Sequence, residues 1–128
     1  MIVVDSSVWV SYFNGSATRQ ALRLHRALEE DEPLAVLDLV ITEVLQGFRI
    51  DREFELARRT LADVTRVPLA AAAYVNAARL NRKLRSRGVV AHTIDCIIAQ
   101  GCIESQGALL TEDSDFLHIA KHSKLRLA

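Results

Sequence analysis

Four stretches of the chain set carboxylates among apolar neighbours. Asp5 follows the run Ile2-Val3-Val4 and precedes Ser6-Ser7. Glu43 lies among Leu39, Val40, Ile41, Val44 and Leu45, and Asp95 among Ile94, Cys96, Ile97, Ile98 and Ala99. Near the other end, Thr111 is followed by Glu112, Asp113, Ser114 and Asp115. An ionised carboxylate in an apolar helix is costly unless something cationic compensates it. Neither Glu43 nor Asp95 has a Lys or Arg within one helical turn. Carboxylates that converge without local cations raise one another's pKa, unless a divalent ion sits between them. Oxygen donors unaccompanied by His or Cys suit Mg²⁺ or Mn²⁺ rather than Zn²⁺.

Each acid also has an ordinary use. Asp5 could cap the helix behind it, worth ~1 kcal/mol. Asp95 falls in a first helical turn, where a carboxylate gains about 0.3–1 kcal/mol from the helix dipole. Asp113 and Asp115 are common turn formers, and Glu43 could face solvent. It is the conjunction of all of them that points to a site.

The elements that would carry these residues alternate between short apolar runs and helical periodicity. Ile2 to Val4 reads as a strand, and Ser6 to Phe13 as a short helix ending at Asn14-Gly15. Ala21, Leu24 and Leu28 mark a second helix, and Leu34 to Leu37, after Pro33, a second strand. Asp38 reads as the N-cap of a helix whose Ile41, Val44, Leu45 and Phe48 face inward. Phe54, Ala57, Leu61 and Val64 define another. The longest helix carries Leu69, Ala73, Ala77, Leu80 and Leu84 on one face and stops at Gly88. A further helix opens at His92-Thr93, runs to Gln106 and stops at Gly107. Ala108 to Thr111 is a strand, Asp115 to Lys121 a short helix, and Leu125 to Leu127 an edge strand. The expectation is one α/β domain over residues 1–128, a short, mostly parallel central sheet flanked by helices. In such sheets ligands gather beyond the carboxyl ends of the strands, where Asp5 and the Thr111–Asp115 loop fall.

Composition narrows the field. Of 128 residues half are hydrophobic and a quarter charged, and 16 basic side chains cancel 16 acidic ones. A chain with zero formal net charge does not grip nucleic acid or anionic membrane by bulk charge. No apolar run outlasts Leu69 to Val75, far short of the ~20 residues that span a bilayer. No basic residue precedes Arg19, so no signal peptide is visible and a cytoplasmic setting is expected. Cys96 and Cys102 fall on different helical faces and read as reduced packing thiols.

Taken together, MIVVDSSVWV, ITEVLQG, TIDCIIAQ and LLTEDSDF, in that order, resemble the PIN-domain ribonucleases. More narrowly, they are similar to the VapC-type toxins of bacterial toxin–antitoxin pairs. The resemblance spans essentially the whole chain. It maps the family's acids onto Asp5, Glu43, Asp95 and Asp113, with Asp115 as an extra acid of the same loop. Thr111 and Ser6 match its small hydroxyl positions. It implies hydrolysis of RNA phosphodiesters, a structured RNA such as tRNA being compatible, with Mg²⁺ or Mn²⁺ held by Asp5, Asp95 and the Asp113 loop. Glu43 would complete the cluster directly or through water. It also implies a homodimer and a VapB-type antitoxin partner. An RNA-processing nuclease of the same family without an antitoxin, and a non-catalytic RNA-binding module, remain the alternatives. A phosphoacceptor receiver domain fits poorly, since the first strand offers only Asp5 where an acidic pair is needed.

Arg79, Arg82, Lys83, Arg85 and Arg87 place five cations and no acid in nine residues at the end of the longest helix. They read either as a solvated helix end or as a phosphate-contacting rim beside the acids. Arg49, Arg52, Arg58, Arg59 and Arg66 are interleaved with acids and suit an exposed, ion-paired helix. His25, His92, His118 and His122 form no metal-ligand spacing, and Trp9, Tyr12 and Phe13 suit core packing.

Overall fold

The computed structural model describes residues 1–128. Five short strands, β1 (Ile2–Val4), β2 (Leu34–Val36), β3 (Thr65–Arg66), β4 (Ala108–Leu110) and β5 (Arg126–Leu127), form one sheet. Every pairing is parallel, in the order β3-β2-β1-β4-β5. Seven helices cover it: α1 (Ser6–Phe13), α2 (Arg19–Glu29), α3 (Asp38–Leu45), α4 (Asp51–Ala62), α5 (Ala71–Ser86), α6 (Thr93–Ser105) and α7 (Asp115–Lys121). Val3, Val4, Ala35, Val36, Leu109 and Leu110 are all buried, as parallel strands covered on both faces must be.

Strand order explains where a site can form. From β1 the chain winds outward to β2 and β3, then crosses back to place β4 on the opposite side of β1. The crevice at that reversal opens beyond the carboxyl ends of β1 and β4. Register carries Val4 opposite Leu110, and the ladder continues as Asp5 N donates to Leu110 O at 3.0 Å. Residues that follow the two strands, Asp5 and Thr111, are therefore neighbours across 106 positions of chain.

Several expectations are met. Cys96 and Cys102 are buried and free, and Trp9 is fully buried against Tyr12, Phe13 and other core residues. Gly88 ends α5 at φ +79°, with Val89 N donating back to Leu84 O. No helix is long and apolar enough to cross a membrane.

Other expectations need correction. β3 lacks any apolar pair to announce it: Thr65 and Arg66 are both exposed, and only the register against Ala35 and Val36 makes them a strand. Asp38 is the first residue of α3, not its cap, and its carboxylate pairs with Arg66 at 3.0 Å. Of the positions expected to face inward from α3, Val44 is buried and Ile41, Leu45 and Phe48 are half-buried against the core, but Phe48 lies beyond the helix and Val40 is the further fully buried position. α5 begins at Ala71, so Leu69 packs from the preceding segment. In the second basic set, Arg58 pairs with Glu55 at 2.9 Å within α4, whereas Arg66 lies in β3.

The end of α6 also differs. Gln106, not Gly107, takes the left-handed conformation (φ +58°), with Gly107 N donating to Cys102 O at 3.0 Å. Gly107 is required by space instead, since a Cβ there would meet Val3 Cγ2 at 2.7 Å. Val3 is fully buried in the central strand and has little freedom to give way. Gly107→Ala is expected to cost about 1–3 kcal/mol by overpacking. Urea unfolding would measure it, and a midpoint equal to wild type would mean that the strand yields.

Candidate metal centre

Asp5 is the one buried charged residue of the chain, 4 % exposed. It stands at the N-cap position of α1, yet its side chain makes no capping bond. The ordinary use of an aspartate there is thus set aside. Instead Oδ2 accepts from Ser7 Oγ and from Thr111 Oγ1, each at 2.8 Å. Those hydroxyls in turn accept from the next loop: Glu112 N donates to Ser7 Oγ and Asp113 N to Thr111 Oγ1, both at 3.0 Å. Gln20 Nε2 reaches Thr111 O at 3.3 Å. One carboxylate oxygen of Asp5 is therefore occupied in tying β1 to the loop after β4.

A cleft of about 340 Å³ opens there, lined by Asp5, Glu43, Asp95 and Asp113 with Ser6, Ser7 and Gln46. Its wall is completed by Val10, Ile98 and Phe116, and no Lys, Arg or His lines it. Four helices and two loops converge to make it, which is why the four acids are far apart in sequence. Asp95 comes from the first turn of α6, and Glu43 from the last turn of α3. At the rim, carboxylate oxygens of Asp95, Asp113 and Asp115 lie within 4.8 Å of one another. Asp113 Oδ1 also accepts from Asp115 N at 2.9 Å, so the turn-forming use of Asp113 coexists with its place in the cleft.

The electrostatics follow from that crowding. Burial pushes the Asp95 carboxyl up from its ordinary 3.8 to about 6, and the charges of Asp113 and Asp5 add to the shift. His92 acts in the opposite sense. Glu43 is also raised, first by burial, then by Asp5 and Asp95, with the Ser6 hydroxyl working against the shift. Glu43 Oε1 is buried and has no hydrogen-bond partner. An orphaned carboxylate oxygen, an oxygen-only lining and several acids with no Lys, Arg or His among the lining residues together fit a hard divalent ion.

Asp5, Glu43, Asp95 and Asp113 thus meet around one cleft, and Asp115 joins at its edge. Thr111 bonds Asp5 directly. Ser6 does not: it lines the wall beside Glu43, and the second hydroxyl on Asp5 belongs to Ser7. Ser7 and Gln46 were missed. Gln46 is i+3 from Glu43, a spacing that places it on the same helical face, whereas a hydroxyl one or two residues after Asp5 is a common local partner and the sequence does not choose between Ser6 and Ser7.

The basic residues of α5 stand on the helix packed against α6. α5 and α6 pack side by side, joined by a short turn at Gly88, so the last turn of α5 abuts the first turn of α6. Arg82 and Arg85 line a groove of about 420 Å³ with Thr93 and Cys96, the latter adjoining Asp95. Arg79 and Arg85 donate to Asn76 and Asn81 on their own helix, and none of the five cations is paired with an acid.

The PIN domain family model matches residues 2–122. A VapC ribonuclease, Mb1587, of Mycobacterium bovis is 28% identical over 131 residues, covering 100% of this chain and 98% of the relative. Ribonuclease VapC11 of Mycobacterium tuberculosis matches to the same extent. Among solved structures, VapBC2 from Rickettsia felis, bound to a DNA fragment from its promoter, superposes with a TM-score of 0.79 at 16% identity. That match covers 100% of this chain and 98% of the other. The Mycobacterium tuberculosis toxin VapC20, which cleaves the sarcin-ricin loop, gives 0.69 at 17% identity, covering 98% and 99% of the two chains.

Proposed function

The chain belongs to the PIN-domain family, and on that premise we propose that it is a divalent-metal-dependent endoribonuclease, the VapC-type toxin of a toxin–antitoxin pair. The observation that carries this reading is the cleft itself: four carboxylates from four separate parts of the chain, with no cation among them. Asp5, Asp95 and Asp113 would hold Mg²⁺ or Mn²⁺, with Asp115 at the rim. A divalent ion bound there supplies Lewis acidity toward water and toward the scissile phosphate. Asp5 keeps Oδ1 for the cleft because Oδ2 is committed to Ser7 and Thr111. Glu43, with its free Oε1 and a pKa above the ordinary carboxylate range, is suited to hold a water and accept its proton. The substrate would be a structured RNA such as tRNA, cut at a phosphodiester presented to the acidic cleft.

The unpaired cations of α5 would contact phosphates on either side of the cut. Arg82→Glu with Arg85→Glu is expected to weaken RNA binding and to flatten the dependence of affinity on salt by about two units of slope. Binding in EDTA, which prevents cleavage, measures it, and a double mutant whose affinity equals that of wild type at both low and high salt would remove the patch from the RNA surface.

A VapB-type antitoxin is the proposed partner. Phe13, Val44, Phe48, Ile50 and Leu56 line an open apolar groove of about 630 Å³, which shares Val10 with the acidic cleft. A peptide seated in the groove would continue into the acids, where an Arg side chain finds carboxylates to pair with. Exposed Tyr74 and Val75 on α5 suit a homodimer contact.

The test of function is to incubate total cellular RNA with the protein in Mg²⁺, Mn²⁺ or EDTA and map the new ends by sequencing. Discrete ends that require metal are expected. Binding without scission, from folded and antitoxin-free protein, would refute the nuclease reading.

A further inference from the structure

We infer that Asn81 is a positioning residue that fixes the entry of α6, and with it Asp95, against the basic end of α5. The inference rests on the metal reading above and deepens it. Asn81 is half-buried in the seam between α5 and α6. Its amide is used on both sides. Oδ1 accepts from Arg85 Nη2 at 2.8 Å, and Nδ2 donates to Ala91 O at 3.0 Å and lies 3.5 Å from Cys96 Sγ. The orientation is unambiguous chemically: turned over, the amide would set oxygen against a carbonyl and NH₂ against a guanidinium.

The places it holds are the ones that matter for the site. Ala91 precedes His92, the N-cap of α6, whose side chain makes no capping bond. Cys96 follows Asp95 directly. A helix start without a side-chain cap frays readily, and Asp95 lies in that first turn. Among the side-chain hydrogen bonds of the chain, only Asn81's reaches the segment between α5 and α6. The same side chain holds Arg85, so the phosphate-contacting rim and an acid of the metal cleft are tied to one amide. Groups that orient a metal's ligands are worth about 10–100-fold in metal affinity.

The test uses the full-length, RNA-free protein and Mn²⁺ alone, with affinity read by titration calorimetry. Asn81→Leu fills the place of the amide with a slightly bulkier apolar group of higher helix propensity and removes all three contacts. It is expected to weaken Mn²⁺ binding about tenfold, to speed amide exchange at Ile94 to Ile97, and to leave the metal-free melting point near wild type. Arg85→Met removes only the arginine arm and should leave Mn²⁺ affinity within about twofold. Wild-type Mn²⁺ affinity in Asn81→Leu, or an equal loss in Arg85→Met, would overturn the positioning role alone. Wild-type protein that binds no Mn²⁺ would overturn the metal reading and this inference together. Should Asn81→Leu fail to fold, Asn81→Ala makes the same comparison without adding bulk to the seam.

Discussion

Asp5→Asn is expected to lower RNA cleavage by ~100-fold or more while leaving the fold as stable as wild type or more so. The substitution is nearly isosteric, and the two hydroxyls that now donate to Oδ2 can donate equally to an amide oxygen. That choice turns the NH₂ toward the cleft, where it offers a donor to a cation that needs an acceptor. The ion loses both a charge and a ligand atom. The metal-free fold loses something different: one of several buried or half-buried like charges that raise the pKa of Glu43 and Asp95. Cleavage of mapped RNA sites and thermal unfolding of the metal-free protein measure the two halves separately. Wild-type turnover by the mutant in excess metal would remove Asp5 from the site. A collapse in melting point would instead make its role structural.

The second large effect is stabilisation by metal, and it should depend on pH. Asp95 has a folded-state pKa of about 6 against an ordinary 3.8. Between those values the folded, metal-free protein retains a proton that the unfolded chain has released. Its contribution to stability is therefore complete below about pH 4 and is lost as pH rises through 6. Glu43 is shifted in the same direction and adds to the trend. At neutral pH burial first, and then the neighbouring carboxylates, oppose the ionised forms of Asp95 and Glu43, and a divalent ion bound in the cleft would relieve that opposition. A ligand present at 100 times its dissociation constant stabilises by about 2.7 kcal/mol, which for a chain of this size is on the order of 10 °C in melting temperature. Mn²⁺ should raise the melting point by roughly that much at pH 7.5 and by far less at pH 5, where protons hold Asp95. Scanning calorimetry at both pH values, with and without Mn²⁺, measures the difference. An increment independent of pH would mean that the ion binds elsewhere.

Much of this was legible because the site is built from signals that chemistry forces into the open. A carboxylate in an apolar run, as at Glu43 and Asp95, is conspicuous wherever it occurs, and an acid directly after a buried strand, as at Asp5, is placed by the sheet's own logic. The parallel sheet followed from short apolar strands alternating with amphipathic helices. What escaped was set by tertiary contact. β3 is two exposed residues whose strand character exists only through pairing with β2. Asp38 carries the profile of a cap but is drawn into α3 and pairs with Arg66 across the sheet edge. Gly107 reads as a helix stop, yet it is the packing of Val3 that demands a glycine there. Ser6 and Ser7 are indistinguishable by composition. Only the turn of α1 decides that Ser7 bonds Asp5 while Ser6 faces Glu43. Asn81 carried no signal at all, because its partners are a backbone carbonyl ten residues on and an arginine that looked solvated.

In the reading proposed above, one carboxylate cleft holds the divalent ion on which RNA cleavage depends. Anomalous diffraction from Mn²⁺-soaked crystals of the wild-type protein and of Asp5→Asn tests it most directly. A peak bounded by the carboxylates of Asp5, Asp95 and Asp113 is expected, greatly reduced in Asp5→Asn. No peak in that cleft, or one confined to the Asp113–Asp115 rim and unchanged by the substitution, would contradict it.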